Sequence, residues 1–322
     1  MDPIKKIDEL MAQNFPEQEY IVDRLVPDGS ITILSGASGS FKTYSLLQIA
    51  IAVASGRPLF EQYQTQQTGV LIIDEENGER LMQKRLYQLG ATADLPIYFT
   101  PRMGFELTEE NIDNVLLSCL TYDLKLVIID SLIRVHSADE NSAREMARVF
   151  KLLRRFTEQG VAVLVTQHNR KPGANSGGAG NEMRGSTDIR AAIDSHIGVT
   201  RKNKWYLTFD QTKQRYDVEL DPFKVKVNAD KDSFTFEYLG SLAAEANTAE
   251  QLYTAVTDLL AEHEQLSQKE LLAKLADTEA KTNEHTLREL LKQWVAEGVL
   301  PQPKPGVGKT KYYYLDAEVS NE

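Results

Sequence analysis

The sequence predicts an α/β domain with a mostly parallel sheet, followed by a small winged-helix domain. Three observations carry that prediction. Short β-branched runs (SITILSG, TGVLIIDEE, LKLVIIDS, VAVLVTQH) alternate with amphipathic helical stretches over the first part of the chain. A Gly/Ser turn, ILSGASGSFKTYS at residues 33–45, lies between one such strand and one such helix. Beyond residue 248 the pattern becomes three short amphipathic helices and a Gly/Lys-tipped hairpin.

Bulk properties narrow the class. A chain of 322 residues suits a core domain with an appendage, and 42% hydrophobic with 26% charged residues is the balance of a soluble protein. No apolar run approaches the length that spans a bilayer, and MDPIKKIDELMAQ lacks the apolar core of a signal peptide. A cytoplasmic protein without membrane partners is the expectation. The single cysteine, Cys119, excludes an internal disulfide framework, and its apolar spacing in IDNVLLSCL marks a buried helix position. A net charge of −11 argues against binding nucleic acid by general surface charge, so any such contact must rest on particular segments.

In chain order, residues 1–28 form a polar lead-in ending in the turn signal VPDGS. Residues 29–239 are the α/β domain; from about Asp194 onward SHIGVTRK, KWYLTFDQTKQ and SFTFEYLG read as strands that extend one sheet edge. Residues 240–248 (GSLAAEANT) read as a linker. Residues 249–316 form the winged helix, whose second helix opens with a capping box from Ser267 to Glu270, and 317–322 are a tail.

The turn at 33–45 matches the phosphate-binding pattern of Gly, four residues, Gly, Lys and Ser/Thr, with one departure. Gly36, Lys42 and Thr43 are in place, while Phe41 stands where the second Gly belongs. Backbone amides of Gly36, Ala37, Ser38, Gly39, Ser40, Phe41, Lys42, Thr43 and Tyr44 would surround the phosphates of ATP. Lys42 would reach the β- and γ-phosphates and Thr43 would bind Mg²⁺. Phe41 requires either a roomier neighbourhood or a ring turned outward against the next segment. LKLVIID ends in Asp130, the carboxylate expected to hold Mg²⁺. GVLIIDEENGER ends a strand with Asp74, Glu75 and Glu76, one of which could orient the attacking water.

From about Tyr20 to Val227 the chain resembles the RecA-like ATPases of the DnaB, RadA and plasmid RepA helicase group, and most closely the phage- and plasmid-borne AAA ATPases near the RepA type. The segments that carry the resemblance are DGSITILSGASGSFKTYSLLQIAIAVASGRPLF, VLIIDEENGERLMQKRL, LVIIDSLIRVHSADENSAREM, VLVTQHNRK and RGSTDIRAAIDSHIGV. Phe at the Phe41 position is frequent in that group. The resemblance implies that Glu76 is the catalytic base, although Asn77 replaces the Asp that follows it there, which keeps Glu75 as a fallback. It implies that Gln167 and His168 sense the γ-phosphate. It also implies that Lys213 and Arg215, a Lys-x-Arg pair on one strand face, reach the nucleotide of a neighbouring subunit in a ring or filament, with a hexamer the expected form. The alternative for that pair is two basic residues facing water.

The resemblance implies that two loops, LIRVHSADENSARE and NRKPGANSGGAGNEMRGS, face a central channel, and the hairpin tip is a third place that could touch nucleic acid. The segment NRKPGANSGGAGNEMRGS carries Arg170, Lys171 and Arg184 amid Gly, Ser and Asn, and could follow a single strand of DNA through its backbone amides. The hairpin tip PKPGVGKTK carries Lys309 and Lys311. Residues 249–322 hold eight basic and thirteen acidic side chains, so docking of a replication or recombination protein stands beside DNA binding. The resulting expectation is a Mg-ATP-hydrolysing motor on DNA, a replicative helicase of RepA type. The alternatives are a recombination mediator that coats DNA without unwinding it, and a regulatory ATPase switch that docks a protein through its winged helix.

Overall fold

A computed structural model describes residues 4–169, 187–276, 278 and 280–315. Two compact units divide at Gly240/Ser241.

The first unit opens with a short helix, α1 (Ile7–Met11), and a small antiparallel pair, β1 (Tyr20–Val22) and β2 (Val26–Pro27). There follow β3 (Ile31–Gly36), α2 (Lys42–Ser55), β4 (Gly69–Asp74), α3 (Glu79–Gln88), β5 (Ile97–Thr100), α4 (Glu109–Tyr122), β6 (Leu124–Asp130), α5 (Ala143–Thr157), β7 (Ala162–His168) and α6 (Thr187–Ala192). The unit closes with β8 (Ser195–Arg201), β9 (Tyr206–Gln214), β10 (Phe223–Ala229) and β11 (Phe234–Ser241).

These strands form one nine-stranded sheet in the order β11-β10-β9-β8-β3-β7-β6-β4-β5. From β8 to β5 every neighbouring pair is parallel, while β9 runs antiparallel to both β8 and β10. The parallel strands are apolar almost without interruption because helices cover both faces. Alternation sorts their residues between two cores. Ile33, Ile73, Ile129 and Val165 pack against α4 and α5, and Leu34, Ile72, Ile128 and Leu164 pack on the side of α2. Cys119 is buried on α4 within the first of these cores, and burial pushes its thiol up to about 11. Among the described residues no helix is long and apolar enough to cross a membrane.

The second unit contains α7 (Leu242–Glu262), β12 (Leu266–Ser267), α8 (Gln268–Leu275), α9 (Glu284–Ala296), β13 (Lys304–Pro305) and β14 (Lys311–Tyr313). Its three strands pair in the order β12-β14-β13. Leu252, Val256, Leu271, Leu287, Leu291 and Trp294 form its core. The capping box is present: Ser267 Oγ accepts from Glu270 N, and Glu270 Oε2 accepts from Ser267 N at 2.8 Å.

Residues 240–248, expected as a linker, contain the boundary between the two units, and from Leu242 they are helical. Ser241 ends β11 and caps α7, its Oγ accepting from Ala244 N at 3.1 Å, so the helix starts at Leu242. Three of the nine residues of this stretch are Ala, the strongest helix former, and their propensity favours the helix that the Ser241 cap starts.

Candidate nucleotide-binding site

The site lies where β3, β4, β6 and β7 end, at the carboxyl edge of the parallel sheet. Gly36 closes β3 opposite His168 of β7, and the chain then turns through Ala37, Ser38, Gly39 and Ser40 into α2. Gly36 cannot carry a side chain. A Cβ there would meet Ser40 Oγ and the Val199 carbonyl, each at 2.6 Å.

Phe41 adopts the left-handed conformation, φ 61° and ψ 25°, immediately before Lys42. This explains why the pattern prefers Gly at the position, since a side chain costs roughly 1–2 kcal/mol there. The ring is partly buried against the core, and its partner is the distant strand β11 rather than the next segment of the chain. It packs edge-on against Phe234 at 5.3 Å and Tyr44 at 6.1 Å, and the Arg201 guanidinium lies 4.4 Å from its centroid. Each aromatic pair contributes about 0.5–1.5 kcal/mol beyond burial, enough together to offset the backbone strain. Arg201 also donates to the Gly39 carbonyl at 3.0 Å, tying the β8–β9 turn to the loop.

Lys42 is nearly buried, and its Nζ donates to the carbonyls of Gly36 at 2.8 Å and Ala37 at 3.0 Å. Burial lowers its pKa, while Asp130 and Glu76 act in the opposite direction. Neutral carbonyls are weaker partners for an ammonium than a charged phosphate oxygen, so Lys42 is poised to exchange them. Thr43 Oγ1 donates to Asp130 Oδ2 at 2.7 Å, and Thr166 Oγ1 donates to Asp130 Oδ1 at 2.5 Å. Burial raises the Asp130 pKa, and those two hydroxyls partly counter it. The neighbouring strand end places Asp74 in register with Asp130. Its Oδ2 is buried and has no hydrogen-bond partner among the described residues. Hydroxyl and carboxylate oxygens are the donors that Mg²⁺ prefers, and a buried carboxylate oxygen left over beside them favours a cation there. The residues therefore fit Mg²⁺, which Thr43 and Asp130 would hold, directly or through water.

The two adjacent glutamates have different surroundings. Glu75 is buried and accepts the backbone amides of Met103 at 3.2 Å, Gly104 at 3.0 Å and Phe105 at 2.8 Å. Glu76 is half exposed, and its Oε2 lies 3.8 Å from His168 Nε2. Asp74 Oδ1 fixes the turn between them and α3 by accepting Glu76 N at 2.9 Å and Asn77 N at 2.8 Å. His168 Nδ1 lies 3.4 Å from Lys42 Nζ, so the ring proton belongs on Nε2, facing Glu76. Gln167, buried beside it, donates to Glu140 at 3.4 Å. Lys42, His168 and Glu76 are linked by these contacts, as are Thr43 and Asp130, whereas the contact of Gln167 is to Glu140.

Lys213 and Arg215 are held by their own chain. Lys213 Nζ donates to the Arg190 carbonyl, and Arg215 donates to the carbonyls of Ala191 at 3.1 Å and Ile193 at 3.3 Å. Both cations therefore sit at the C-terminal end of α6, where the helix dipole favours them. Arg215 also pairs with buried Asp194 at 3.0 Å, which Arg154 engages at 2.6 Å. Of the candidate nucleic-acid contacts, Arg170, Lys171 and Arg184 fall outside the described residues. Lys309 and Lys311 are exposed on the β13–β14 hairpin.

Sequence reasoning passed over Thr166, Arg201 and His196. Buried His196 bridges Ser35 Oγ on β3, at 2.8 Å, and Thr212 Oγ1 on β9, at 2.5 Å. Burial first, and Arg190 second, push its pKa down to about 4. Thr166 had a legible signal, two residues before His168 and on the same strand face, whereas the other two depend on contacts distant in sequence. A family model described as an AAA domain matches residues 3–174, more than half of the chain.

Proposed function

The chain belongs to that AAA-domain family of P-loop ATPases, and from this premise we propose that it is a Mg-ATP-driven RecA-fold motor acting on single-stranded DNA, a replicative helicase of RepA type. The observation that carries the reading is the contact line Lys42–His168–Glu76, which joins the phosphate loop, the end of β7 and the carboxylate that faces the site. His168 ends β7 and stands two residues before Arg170 in the sequence, so this reading couples a change at His168 to the segment that carries Arg170, Lys171 and Arg184.

In this mechanism the loop amides and Lys42 bind the β- and γ-phosphates. Thr43 and Asp130 hold Mg²⁺, which when bound neutralises phosphate charge and fixes its geometry. Glu76 takes the proton of the attacking water. His168 donates towards the γ-phosphate and passes its presence or loss to the segment after β7. The second unit, with three helices and a three-stranded sheet, serves as a winged helix that docks DNA or a replication protein through the Lys309/Lys311 hairpin.

A second reading, a regulatory ATPase switch, draws on Lys213 and Arg215 being held within their own chain. Unwinding of a forked duplex separates the two. The motor displaces a strand with ATP and not after Lys42→Ala, whereas a switch hydrolyses ATP slowly, ignores DNA and displaces nothing.

A further inference from the structure

The tip of the phosphate loop stands open. Ala37, Ser38 and Gly39 are exposed, and Gly39 has a φ of 76°. Apart from its chain neighbours, a Cβ there would meet nothing within 4 Å among the described residues. A loop of small residues has many conformations, and binding phosphate through its amides selects one of them at a cost in entropy. What holds the tip comes from another element.

Arg201 ends β8, two residues beyond Val199, which pairs with Gly36 of β3. Its Nη1 donates to the Gly39 carbonyl at 3.0 Å. The rest of the guanidinium is fixed by its own turn, with Nε donating to the Asn203 carbonyl at 3.1 Å and Nη2 to the Lys204 carbonyl at 3.2 Å. Asn203 Oδ1 closes that turn by accepting Trp205 N at 2.9 Å and Tyr206 N at 3.2 Å. The guanidinium also lies 4.4 Å from the Phe41 centroid, within cation–π range. Its partners are three carbonyls and a ring, with no carboxylate among the described residues. Arg201 therefore grips the loop on both sides of Ser40. A trans peptide points the Gly39 carbonyl and the Ser40 amide opposite ways, so holding the carbonyl fixes the amide. That amide closes a turn on the Ala37 carbonyl at 3.3 Å. At Phe41 the stacked ring steadies a residue held at φ 61°, where a side chain is strained.

We infer that Arg201 is a positioning residue of the nucleotide site: by holding the Gly39 carbonyl and the Phe41 ring it keeps the phosphate loop in its binding shape. It sets nucleotide affinity and leaves the chemical step to Lys42, Asp130 and Glu76. The planar fork is what the role needs, because a lysine cannot bridge three carbonyls while stacking on a ring. Arg201 is itself exposed, so its removal leaves no buried group unpaired and the fold keeps its stability. The rival role for this residue is simple attraction of phosphate by its charge, which any cation in the turn would share.

The inference rests on the loop being the nucleotide site, not on what the ATPase acts on. Its test compares the full-length parent with Arg201→Ala, Arg201→Lys and Lys202→Ala, the last removing an equal charge from the same turn. Three quantities are read: ADP affinity by calorimetry, kcat and KM for Mg-ATP, and the melting temperature without nucleotide. Arg201→Ala should bind ADP about tenfold more weakly and raise KM in proportion. Its kcat should stay within about twofold of the parent's, since uniform binding is what is lost. Arg201→Lys should be as weak as Arg201→Ala, Lys202→Ala should match the parent, and all four should melt together. Rescue by Arg201→Lys, or an equal loss in Lys202→Ala, overturns the inference in favour of charge alone. A fall in kcat at unchanged KM overturns it too, and so does a lower melting temperature that accounts for the lost affinity. A parent that binds no nucleotide overturns the site and this role with it, whereas equal binding by the parent and Arg201→Ala overturns this role alone.

Discussion

Glu75 and Glu76 are neighbours in the chain with opposite environments: the first caps three backbone amides at 103–105, and the second faces His168 across 3.8 Å. Only Glu76 is free to meet a water in the site. Glu76→Gln is expected to lower ATP turnover about 10²–10⁴-fold with nucleotide binding retained. Glu75→Gln weakens the anchoring of residues 103–105 and should cost about 1–3 kcal/mol of stability, read as a shift of the urea midpoint. Equal losses of turnover without a stability change in Glu75→Gln would reverse the assignment.

Phe41 offers a test of how a phosphate loop tolerates a bulky residue. Phe41→Ala keeps the left-handed backbone strain and loses the packing on Phe234, Tyr44 and Arg201, while Phe41→Gly loses the packing but relieves the strain. Stability should therefore rank wild type above Gly and Gly above Ala, the last two separated by about 1 kcal/mol. An Ala variant more stable than the Gly variant contradicts the conformational argument.

The pH dependence has two opposing parts. Burial raises the pKa of Asp74, so the fold favours its protonated form. The stability this group contributes is present at low pH and is lost as pH rises through its folded pKa. Asp74→Asn should consequently melt higher than the parent at pH 7.5, with the difference shrinking towards pH 4 when nucleotide is absent. A difference that grows on acidification would contradict the burial argument.

His196 has the reverse sign. Its pKa falls from 6.5 to about 4, so its contribution is full above 6.5 and is lost as pH falls through that window. The loss is on the order of 3 kcal/mol. Urea midpoints measured from pH 7 to pH 4 should fall more steeply in the parent than in His196→Asn.

Much of the site was legible because phosphate loops constrain few residues tightly. Gly36, Lys42 and Thr43 had to lie between a strand and a helix, and Asp130 had to end an apolar strand. What closes around them was not legible. Phe41 finds its partner in Phe234, a strand at the far edge of the sheet, and no local pattern joins the two. The choice between Glu75 and Glu76 depends on amides of the loop after β5. The helix that begins within residues 240–248 was not legible because small residues suit both linkers and helices, and the Ser241 cap starts it.

His168 is the residue through which the account couples phosphate to the segment after β7, so its removal is the most direct test. Steady-state ATP hydrolysis should be measured with and without single-stranded DNA for the parent and for His168→Ala. Strong stimulation by DNA in the parent, reduced to none in His168→Ala with nucleotide binding intact, is the expected result. Turnover in the parent that is indifferent to DNA would contradict the motor, and stimulation that survives in His168→Ala would contradict the coupling path.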